Sequence, residues 1–296
     1  MFTWMPGLQR GIAALGLMAV NTIFWCIPLF FIAFFKLIVP VETWRSGCSR
    51  ILNRIAACWI RMNNLNHRLT TKTCWDVSGL DALNRFECYM VVANHQSWTD
   101  ILVLQRVFNR RIPLLKFFIK KELIWFPMLG LAWWALDFPF LKRYSKKFIR
   151  KYPHLAGKDL ETTRRACEKY KNLPVAVMNF VEGTRFSEAK QNKQQSPFAH
   201  LLRAKAGGLA FALSSMGGRI NRLIDVTIVY PHQSKNSFWN YLCGNIREIK
   251  VRVRQLPITR RLQGDYMGDR DFRKQFQNWL NDLWTEKDQL IRQLQS

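Results

Sequence analysis

Residues 89–104 read YMVVANHQSWTDILVL, an apolar run, a polar turn and a second apolar run. This pattern predicts a buried strand at residues 89–93 and a helix at residues 99–108. His95 therefore lies in the turn at the carboxyl end of a strand, where open α/β sheets bind their ligands. Asp100 follows five residues later, close enough to turn its carboxylate towards the imidazole.

The spacing of His95 and Asp100 has two readings. A neutral histidine whose second nitrogen is held by a carboxylate is the usual device for taking a proton from a hydroxyl. Ser97-x-x-Asp100 also matches a capping box, in which Asp100 only ties down the first helical turn. Both readings remain open on this stretch alone.

The composition indicates the kind of partner. The 296 residues include 45 Lys and Arg against 20 Asp and Glu, a formal charge of +25. Such an excess favours nucleic acid, an acidic protein or an anionic membrane. Hydrophobic residues make up 49% of the chain, with 12 Trp and 21 Phe. Because Trp and basic side chains both concentrate at membrane interfaces, we expect anionic membrane lipids as partners and no nucleic acid.

The cysteines indicate neither a zinc site nor a disulfide framework, since their number is odd and none forms a Cys-x-x-Cys pair. We interpret them as packing residues in a reducing compartment. The seven are Cys26, Cys48, Cys58, Cys74, Cys88, Cys167 and Cys243.

Residues 12–39 form the one long apolar stretch. Its length is sufficient to cross a bilayer, and Pro28 near its middle is expected to kink or break a helix. One kinked spanning helix and two shorter helices that dip into one leaflet both remain open. Basic residues concentrate after the stretch, so the positive-inside bias leaves the bulk of a spanning protein in the cytoplasm.

A basic amphipathic helix is predicted at residues 44–69, where arginines alternate with apolar residues at helical spacing. Such a helix either lies on the membrane or caps the domain. Because it directly follows the apolar stretch, we expect it to lie on the membrane. The chain is therefore divided into a membrane anchor with its basic helix at residues 1–72 and a second domain at residues 73–296.

The second part alternates short apolar runs with polar helical stretches. This alternation predicts an α/β fold with a mixed, largely parallel sheet flanked by helices. The predicted strands are residues 74–77, 89–93, 114–119, 175–180, 224–230 and 249–254. The predicted helices are residues 99–108, 159–171, 204–216 and 271–294. Residues 187–197, rich in Gln, Lys and Ser, are predicted to be an exposed loop.

Residues 123–141 are apolar enough to suggest a second span. Asp137 and two prolines count against that reading, since each is costly in lipid. We expect a segment inside the domain that partly faces the membrane and lines a place for a fatty chain.

A second polar turn follows the apolar run at residues 175–178 and presents Glu182, Gly183 and Arg185. Glycine lets the backbone approach a ligand closely, and arginine offers a planar fork of donors for phosphate or carboxylate. Two strand-end turns, one with a base and one with an anion clamp, can meet over the same sheet edge.

Together these residues resemble the motifs of the 1-acylglycerol-3-phosphate acyltransferases, or lysophosphatidate acyltransferases, of the glycerolipid acyltransferase superfamily. The first block, Asn-His-x4-Asp, corresponds to Asn94, His95 and Asp100. The second, a lysine-rich entry followed by Pro-x-x-Gly and an arginine, corresponds to Lys120, Lys121, Pro127, Gly130 and Arg143. The third, Phe-Pro-Glu-Gly-Thr-Arg-Ser, is similar to residues 180–187, with Val181 in the proline position and Phe186 separating Arg185 from Ser187.

The fourth block departs from the family pattern. Two prolines among valines are replaced by Ile-Asp-Val-Thr-Ile-Val-Tyr-Pro at residues 224–231. With Trp279, Leu280 and the run Glu286-Lys287-Asp288, this variant resembles the branch of lysocardiolipin and lysophosphatidylinositol acyltransferases. The resemblance implies the glycerolipid acyltransferase fold.

The resemblance also implies the site. His95 is the expected general base and Asp100 the residue that holds its tautomer, with no enzyme nucleophile, no metal and no cofactor. The expected ligands of the acceptor's phosphate are Glu182, Gly183, Thr184, Arg185, Lys120 and Arg143. The other histidines, His67, His154, His200 and His232, are expected to be surface or core residues.

The implied activity is transfer of an acyl group from acyl-CoA or acyl-carrier protein to a lysophospholipid, with 1-acyl-sn-glycerol-3-phosphate as the first expected acceptor. Acceptors of the lysocardiolipin, lysophosphatidylinositol or lysophosphatidylglycerol type are the alternative. A catalytically silent membrane-surface binding protein is the competing class. The expected location is a bacterial inner membrane with the catalytic domain facing the cytoplasm.

Overall fold

The computed structural model describes residues 5–141, 170, 173–220, 222–231 and 237–295. Two long helices come first, α1 (Gly7–Ile38) and α2 (Glu42–Thr70). They pack as an antiparallel pair, in which the Asn66 amide donates to the Ala14 carbonyl at 2.9 Å and the Asn21 amide to the Trp59 carbonyl at 3.0 Å. Polar side chains therefore fix the alignment of the two helices.

The N-terminal apolar stretch is one continuous helix with Pro28 inside it, so two separate short helices are not formed. In the described part of the chain, α1 is the one helix long and apolar enough to cross a membrane. One side of α1 packs on the protein through Cys26 and Leu29. Large apolar side chains on its other sides stay exposed from Leu8 to Ile38.

The expectation that the basic helix lies on the membrane is not supported. The apolar face of α2 carries Leu52, Ile55 and Ile60, and all three side chains are buried inside the protein. Because this face is already covered, α2 fits the alternative reading, in which it caps the domain.

A six-stranded sheet forms the centre of the domain, in the order β1-β8-β7-β2-β6-β3. Only β7 and β8 are antiparallel, and the other neighbours are parallel. The mixed, largely parallel sheet is therefore confirmed. Its strands are β1 (Cys74–Ser78), β2 (Tyr89–Ala93), β3 (Leu115–Phe117), β6 (Ala176–Asn179), β7 (Arg222–Val229) and β8 (Glu248–Pro257); β4 (Ile119–Lys120) and β5 (Phe140–Leu141) pair separately.

Helices cover both faces of the sheet. Met90 and Val92 of β2 point into one apolar cluster, and Tyr89, Val91 and Ala93 into another. Since β2 is buried on both faces, its five residues read as a continuous apolar run. The remaining helices of the described residues are α3 (Thr99–Phe108), α4 (Leu129–Ala135), α5 (Glu188–Gln194), α6 (Ala206–Ser215), α7 (Phe238–Leu242) and α8 (Arg270–Gln295), with 3-10 turns at Lys121–Trp125 and Arg260–Leu262.

Most predicted elements agree with the structure to within two residues, and β2 and α3 agree at both ends. The predicted strand at 114–119 is divided between β3 and β4, which belong to different sheets. The predicted loop at 187–197 is wrong, because most of it is α5. The predicted helix at 159–171 lies outside the described residues.

The segment at residues 123–141 belongs to the domain, as predicted. Ala132 and Ala135 pack into a cluster with α1 and α2, whereas Trp125 is 86% exposed. The cysteines are only in part the packing residues that we expected, since Cys26 and Cys243 are buried but Cys74 is exposed.

Candidate active site

His95 and Asp100 form a hydrogen-bonded pair in the turn between β2 and α3. The Nδ1 atom of His95 lies 2.9 Å from Oδ2 of Asp100. The Asp100 side chain is fully buried, and that of His95 is 13% exposed. With Nδ1 held by the carboxylate, Nε2 is the nitrogen left to face a substrate.

The Asp100 carboxylate serves both readings of the sequence. Its Oδ2 accepts the main-chain N–H groups of Gln96 at 2.6 Å and Ser97 at 2.8 Å, which ties down the turn. Its Oδ1 accepts the Tyr230 hydroxyl at 2.6 Å. Because four donors surround one carboxylate, Asp100 is held in a single orientation, and so is the ring of His95.

Asn94 anchors the turn to the sheet and was not among the predicted site residues. Its side-chain oxygen accepts the Ile228 N–H and its amide donates to the Ile228 carbonyl, both at 2.8 Å. The side chain thus continues the β2–β7 ladder for one more step. His95 is thereby placed immediately beyond the end of the sheet.

The second turn, residues 180–186, lies directly beside the first because β2 and β6 are parallel neighbours. The Phe186 N–H donates to the His95 carbonyl at 2.7 Å. Gly183 closes the turn at a φ of +71°, a backbone conformation that suits glycine. The predicted meeting of the two turns at one sheet edge is therefore present, and Val181 in the proline position is a buried core residue.

Glu182 does not occupy the position expected of a phosphate ligand. Its side chain is fully buried, and its two oxygens accept the main-chain N–H groups of His95 and Leu202, each at 3.0 Å. Burial raises the pKa of Glu182 to about 7, against the opposing effect of these two donors. We therefore reassign Glu182 from phosphate binding to positioning of the His95 backbone.

The C-terminal helix supports this arrangement from behind. Asp288 on α8 accepts the N–H groups of Ala199 at 3.0 Å and His200 at 2.8 Å, in the loop that also supplies Leu202. The preceding residue, the buried Lys287, pairs with Asp225 of β7 at 2.6 Å. The Glu-Lys-Asp run singled out in the sequence thus links α8 to the loop and the sheet.

Arg185 presents an available cation at the mouth of the site. Its guanidinium lies 4.6 Å from the centre of the Trp98 ring, and in the described part of the chain it forms no ion pair. Lys190 of α5 donates to the Thr184 hydroxyl at 3.0 Å and to the Arg185 carbonyl at 2.8 Å. Lys190 is therefore a second cation at this turn, missed because its segment was predicted to be a loop.

The second motif, which begins at Lys120 and ends at Arg143, lies only partly within the described residues. Lys120 ends β4 just beyond the carboxyl end of β3, on the side of the sheet where His95 lies, and its side chain is exposed. It makes no hydrogen bond or ion pair with either turn within the described residues. Arg143 lies outside the described residues.

A row of aromatic rings leads away from His95. Phe180 stacks on the imidazole with 3.9 Å between ring centres. Phe117 follows at 6.3 Å from Phe180, and Phe138 at 6.4 Å from Phe117. The row ends in the 123–141 segment and provides an apolar lining between that segment and the base.

We expect Glu182→Gln to lower kcat by about 10²-fold, because a misplaced catalytic group costs roughly that much. Glutamine has one acceptor oxygen, so its NH2 group faces one of the two main-chain donors that the carboxylate now accepts. Steady-state kinetics measure the effect, with Glu188→Gln on the exposed start of α5 as the matched control. Equal activity of the two variants contradicts the positioning role.

Comparisons with known proteins identify the family of this chain. The family model described as Acyltransferase matches residues 74–231, just over half of the chain. The 1-acyl-sn-glycerol-3-phosphate acyltransferase gamma of Mus musculus is 26% identical over 216 residues, covering 69% of this chain and 52% of the mouse protein. The 2-acyl-1-lysophosphatidylinositol acyltransferase of Saccharomyces cerevisiae is 22% identical, covering 84% of this chain and 72% of the yeast protein.

A solved structure matches the fold over the whole chain. The 1-acyl-sn-glycerophosphate (LPA) acyltransferase PlsC from Thermotoga maritima superposes with a TM-score of 0.54 at 15% identity, covering 99% of this chain and 100% of that one. By contrast, the chain spans about half the length of the mammalian relatives that it matches. The family model covers both turns that carry the site, and on that match the chain belongs to the acyltransferase family.

Proposed function

We propose that this protein is a membrane-bound acyltransferase that moves a fatty acyl group from acyl-CoA or acyl-carrier protein to the free hydroxyl of a lysophospholipid. The observation that carries the proposal is the His95–Asp100 pair at 2.9 Å, in a turn that contacts the turn carrying Arg185, whose guanidinium lies over Trp98. A base next to an anion clamp suits an acceptor that carries both a hydroxyl and a phosphate. The acceptor proposed first is therefore 1-acyl-sn-glycerol-3-phosphate, which becomes phosphatidic acid.

The reaction needs one proton carrier. Nε2 of His95 takes the proton of the acceptor hydroxyl as its oxygen attacks the thioester carbonyl. Asp100 stabilises the imidazolium that forms. The C–S bond then breaks, the acyl group stays on the acceptor oxygen, and the imidazolium returns its proton to the departing thiolate. No covalent enzyme intermediate is required, and Ser97 is buried, with its hydroxyl oxygen accepting the Thr99 N–H at 2.9 Å.

The acceptor's phosphate is assigned to Arg185, with Lys190 and Lys120 as further cations. The fork of a guanidinium matches two phosphate oxygens, and the Trp98 ring holds that fork in place. Gly183 and Thr184 shape the turn without adding charge. The fatty chain is placed along the Phe180–Phe117–Phe138 row.

We expect Arg185→Ala to raise KM for lysophosphatidate by about 10- to 100-fold with a smaller effect on kcat, because charge-assisted hydrogen bonds contribute roughly 1.5–3 kcal/mol. Arg185→Lys should recover part of the loss. Arg222→Ala is the control, because Arg222 lies at the start of β7, away from the two turns, and its loss changes the net charge equally. If all three variants keep the wild-type KM, Arg185 does not bind the phosphate.

The exposed apolar surface supports attachment to a membrane. α1 exposes apolar side chains along its length, and Trp125, Phe126 and Trp134 are exposed on the 123–141 segment, next to the end of α1. If α1 crossed the bilayer, its partner α2 would follow with its exposed arginines, which is costly in hydrocarbon. We therefore propose that α1 lies along one leaflet, while α2 caps the domain.

We propose the cytoplasmic face of a bacterial inner membrane as the location. The basic residues that follow α1 suit the anionic lipids of the cytoplasmic leaflet.

We expect the double substitution Trp125→Ser and Phe126→Ser to weaken binding to lipid vesicles at least ~10-fold, since burial of each large apolar side chain contributes about 1.5–3 kcal/mol. Vesicle flotation measures the change. Met267→Ser removes an exposed apolar side chain elsewhere on the domain and serves as the control. If the two variants float equally, α1 alone attaches the protein to the vesicles.

The function itself is tested with a panel of lysophospholipids that differ only in headgroup, each offered with labelled acyl-CoA and with acyl-carrier protein. We expect transfer to lysophosphatidate at the highest kcat/KM. Transfer only to an inositol, glycerol or cardiolipin headgroup reassigns the acceptor. Stable lipid binding without transfer to any of them identifies a catalytically silent binding protein.

A further inference from the structure

A groove of about 620 Å³ lies at the end of the sheet opposite to His95. Leu115, which begins β3, and Pro174, which precedes β6, both line it, whereas His95 follows the end of β2. Because these three strands are parallel, the groove and the base are separated by the length of the sheet. The groove is therefore not part of the active site.

Four arginines line this groove, which we call the arginine groove. Arg50 and Arg54 belong to α2, and Arg85 and Arg110 belong to loops before β2 and after α3. No Asp or Glu is found among its described lining residues, and none of the four arginines has an ion-pair partner in the described structure. Asp81 lies in an adjoining pocket that Arg85 and Arg110 also line, so the cations still outnumber the carboxylates.

The floor of the arginine groove is apolar. Phe108, Ile112 and Leu115 line it together with the arginines, and all three are buried. A volume of about 620 Å³ falls within the range of small-molecule sites. The site therefore matches an amphiphile, with a strongly anionic part and an apolar part.

The arginine groove also adjoins the membrane-facing part of the protein. A second cavity, of about 340 Å³, lies between α1, α2 and α4 and is lined by Leu37 and Trp134. Leu173 lines both cavities, and α2 runs along both. A lipid that enters beside the end of α1 can thus extend towards the arginines without leaving the protein surface.

We propose that the arginine groove binds the headgroup phosphate of an anionic membrane phospholipid that is not the acyl acceptor. Its phosphate lies between Arg54, Arg85 and their two neighbours, and its chains follow the apolar floor towards Leu173 and Trp134. The site is independent of the transfer chemistry, because the groups that act on the acceptor lie at the other end of the sheet. Such a lipid adds an anion-selective contact to the apolar attachment by α1.

The test uses full-length protein in neutral detergent micelles, where no charged bilayer surface contributes. Fluorescent phosphatidylglycerol is titrated in, with phosphatidylcholine of the same chains as the uncharged-headgroup comparison. We expect saturable binding of phosphatidylglycerol, weakened at least ~10-fold by the double substitution Arg54→Gln and Arg85→Gln. The control pair, Arg61→Gln and Arg68→Gln, removes the same charge from equally exposed positions that do not line the groove, and should cost less than about threefold.

Acyl transfer to lysophosphatidate in neutral-lipid micelles should be unchanged in the Arg54 and Arg85 double variant. A loss of acyl transfer and a loss of phosphatidylglycerol binding are therefore separate results. Equal weakening by the two pairs overturns the proposal in favour of diffuse charge. Loss of phosphatidylglycerol binding in Arg185→Ala places the lipid in the active site and also overturns it. Displacement by low millimolar inorganic phosphate, or by an acidic carrier protein, overturns it in favour of a free anion or a protein partner.

Discussion

His95→Ala is expected to lower kcat for acyl transfer at least ~10³-fold while KM for lysophosphatidate changes by less than about threefold, as for loss of a required base. The reason lies in the division of the site. Proton removal is assigned to the imidazole, whereas the phosphate is held by Arg185 in the neighbouring turn. Steady-state kinetics with labelled acyl-CoA separate the two constants.

The control for this variant is His200→Ala. His200 meets Asp288 through its main-chain N–H, so the imidazole is dispensable for that contact. We expect activity within about twofold of wild type. Substantial transfer by His95→Ala removes His95 from the mechanism, whatever the other variants do.

Asp100→Asn is expected to lower kcat by about 10⁴-fold with the fold preserved, as does replacing the buried aspartate of a Ser-His-Asp triad. An asparagine oxygen in the place of Oδ2 can still accept the three donors that surround it, and its amide can donate to Tyr230. The negative charge opposite the imidazolium is lost, and that charge is what the transition state requires.

Tyr230→Phe separates the effect of the Asp100 charge from the effect of one hydrogen bond to it. It removes one donor to Asp100, at 2.6 Å, and leaves the carboxylate with the other three. We expect a loss of less than about 10-fold, since a single hydrogen bond contributes roughly 0.5–1.5 kcal/mol or somewhat more when charged. Equal losses in the two variants indicate that Asp100 matters for geometry alone.

The parts of the fold that were predictable from sequence are those whose signal is local. β2 is a five-residue apolar run buried on both faces, and α3 begins directly after the polar turn. Their boundaries follow from residues 89–108 alone. The meeting of His95 and Arg185 followed from topology, because parallel strands bring their carboxyl ends to one edge.

The roles that were not predictable depend on partners far away in the chain. The sequence around Glu182 resembles a phosphate-binding motif, but the two carboxylate oxygens accept the main-chain N–H groups of Leu202 and His95. Tyr230 reaches Asp100 from 130 residues away. Neither contact can be predicted from the residues that surround it in the sequence.

Burial of an amphipathic face is equally invisible in one sequence. The pattern of α2 is that of a helix with one apolar side, and the same pattern fits a membrane surface or a packed interface. The structure distinguishes them by placing Leu52 and Ile60 inside the protein. α5 was missed for a related reason, since its polar residues carry no apolar face to detect.

One measurement tests the central claim most directly: transfer of a labelled acyl group from acyl-CoA to 1-acyl-sn-glycerol-3-phosphate by the purified protein in lipid-detergent micelles. We predict labelled phosphatidic acid together with an equal amount of free CoA, and no label retained on the protein when the acceptor is omitted. The absence of labelled phosphatidic acid, or a stable acyl-protein without acceptor, contradicts direct transfer by a His95–Asp100 base.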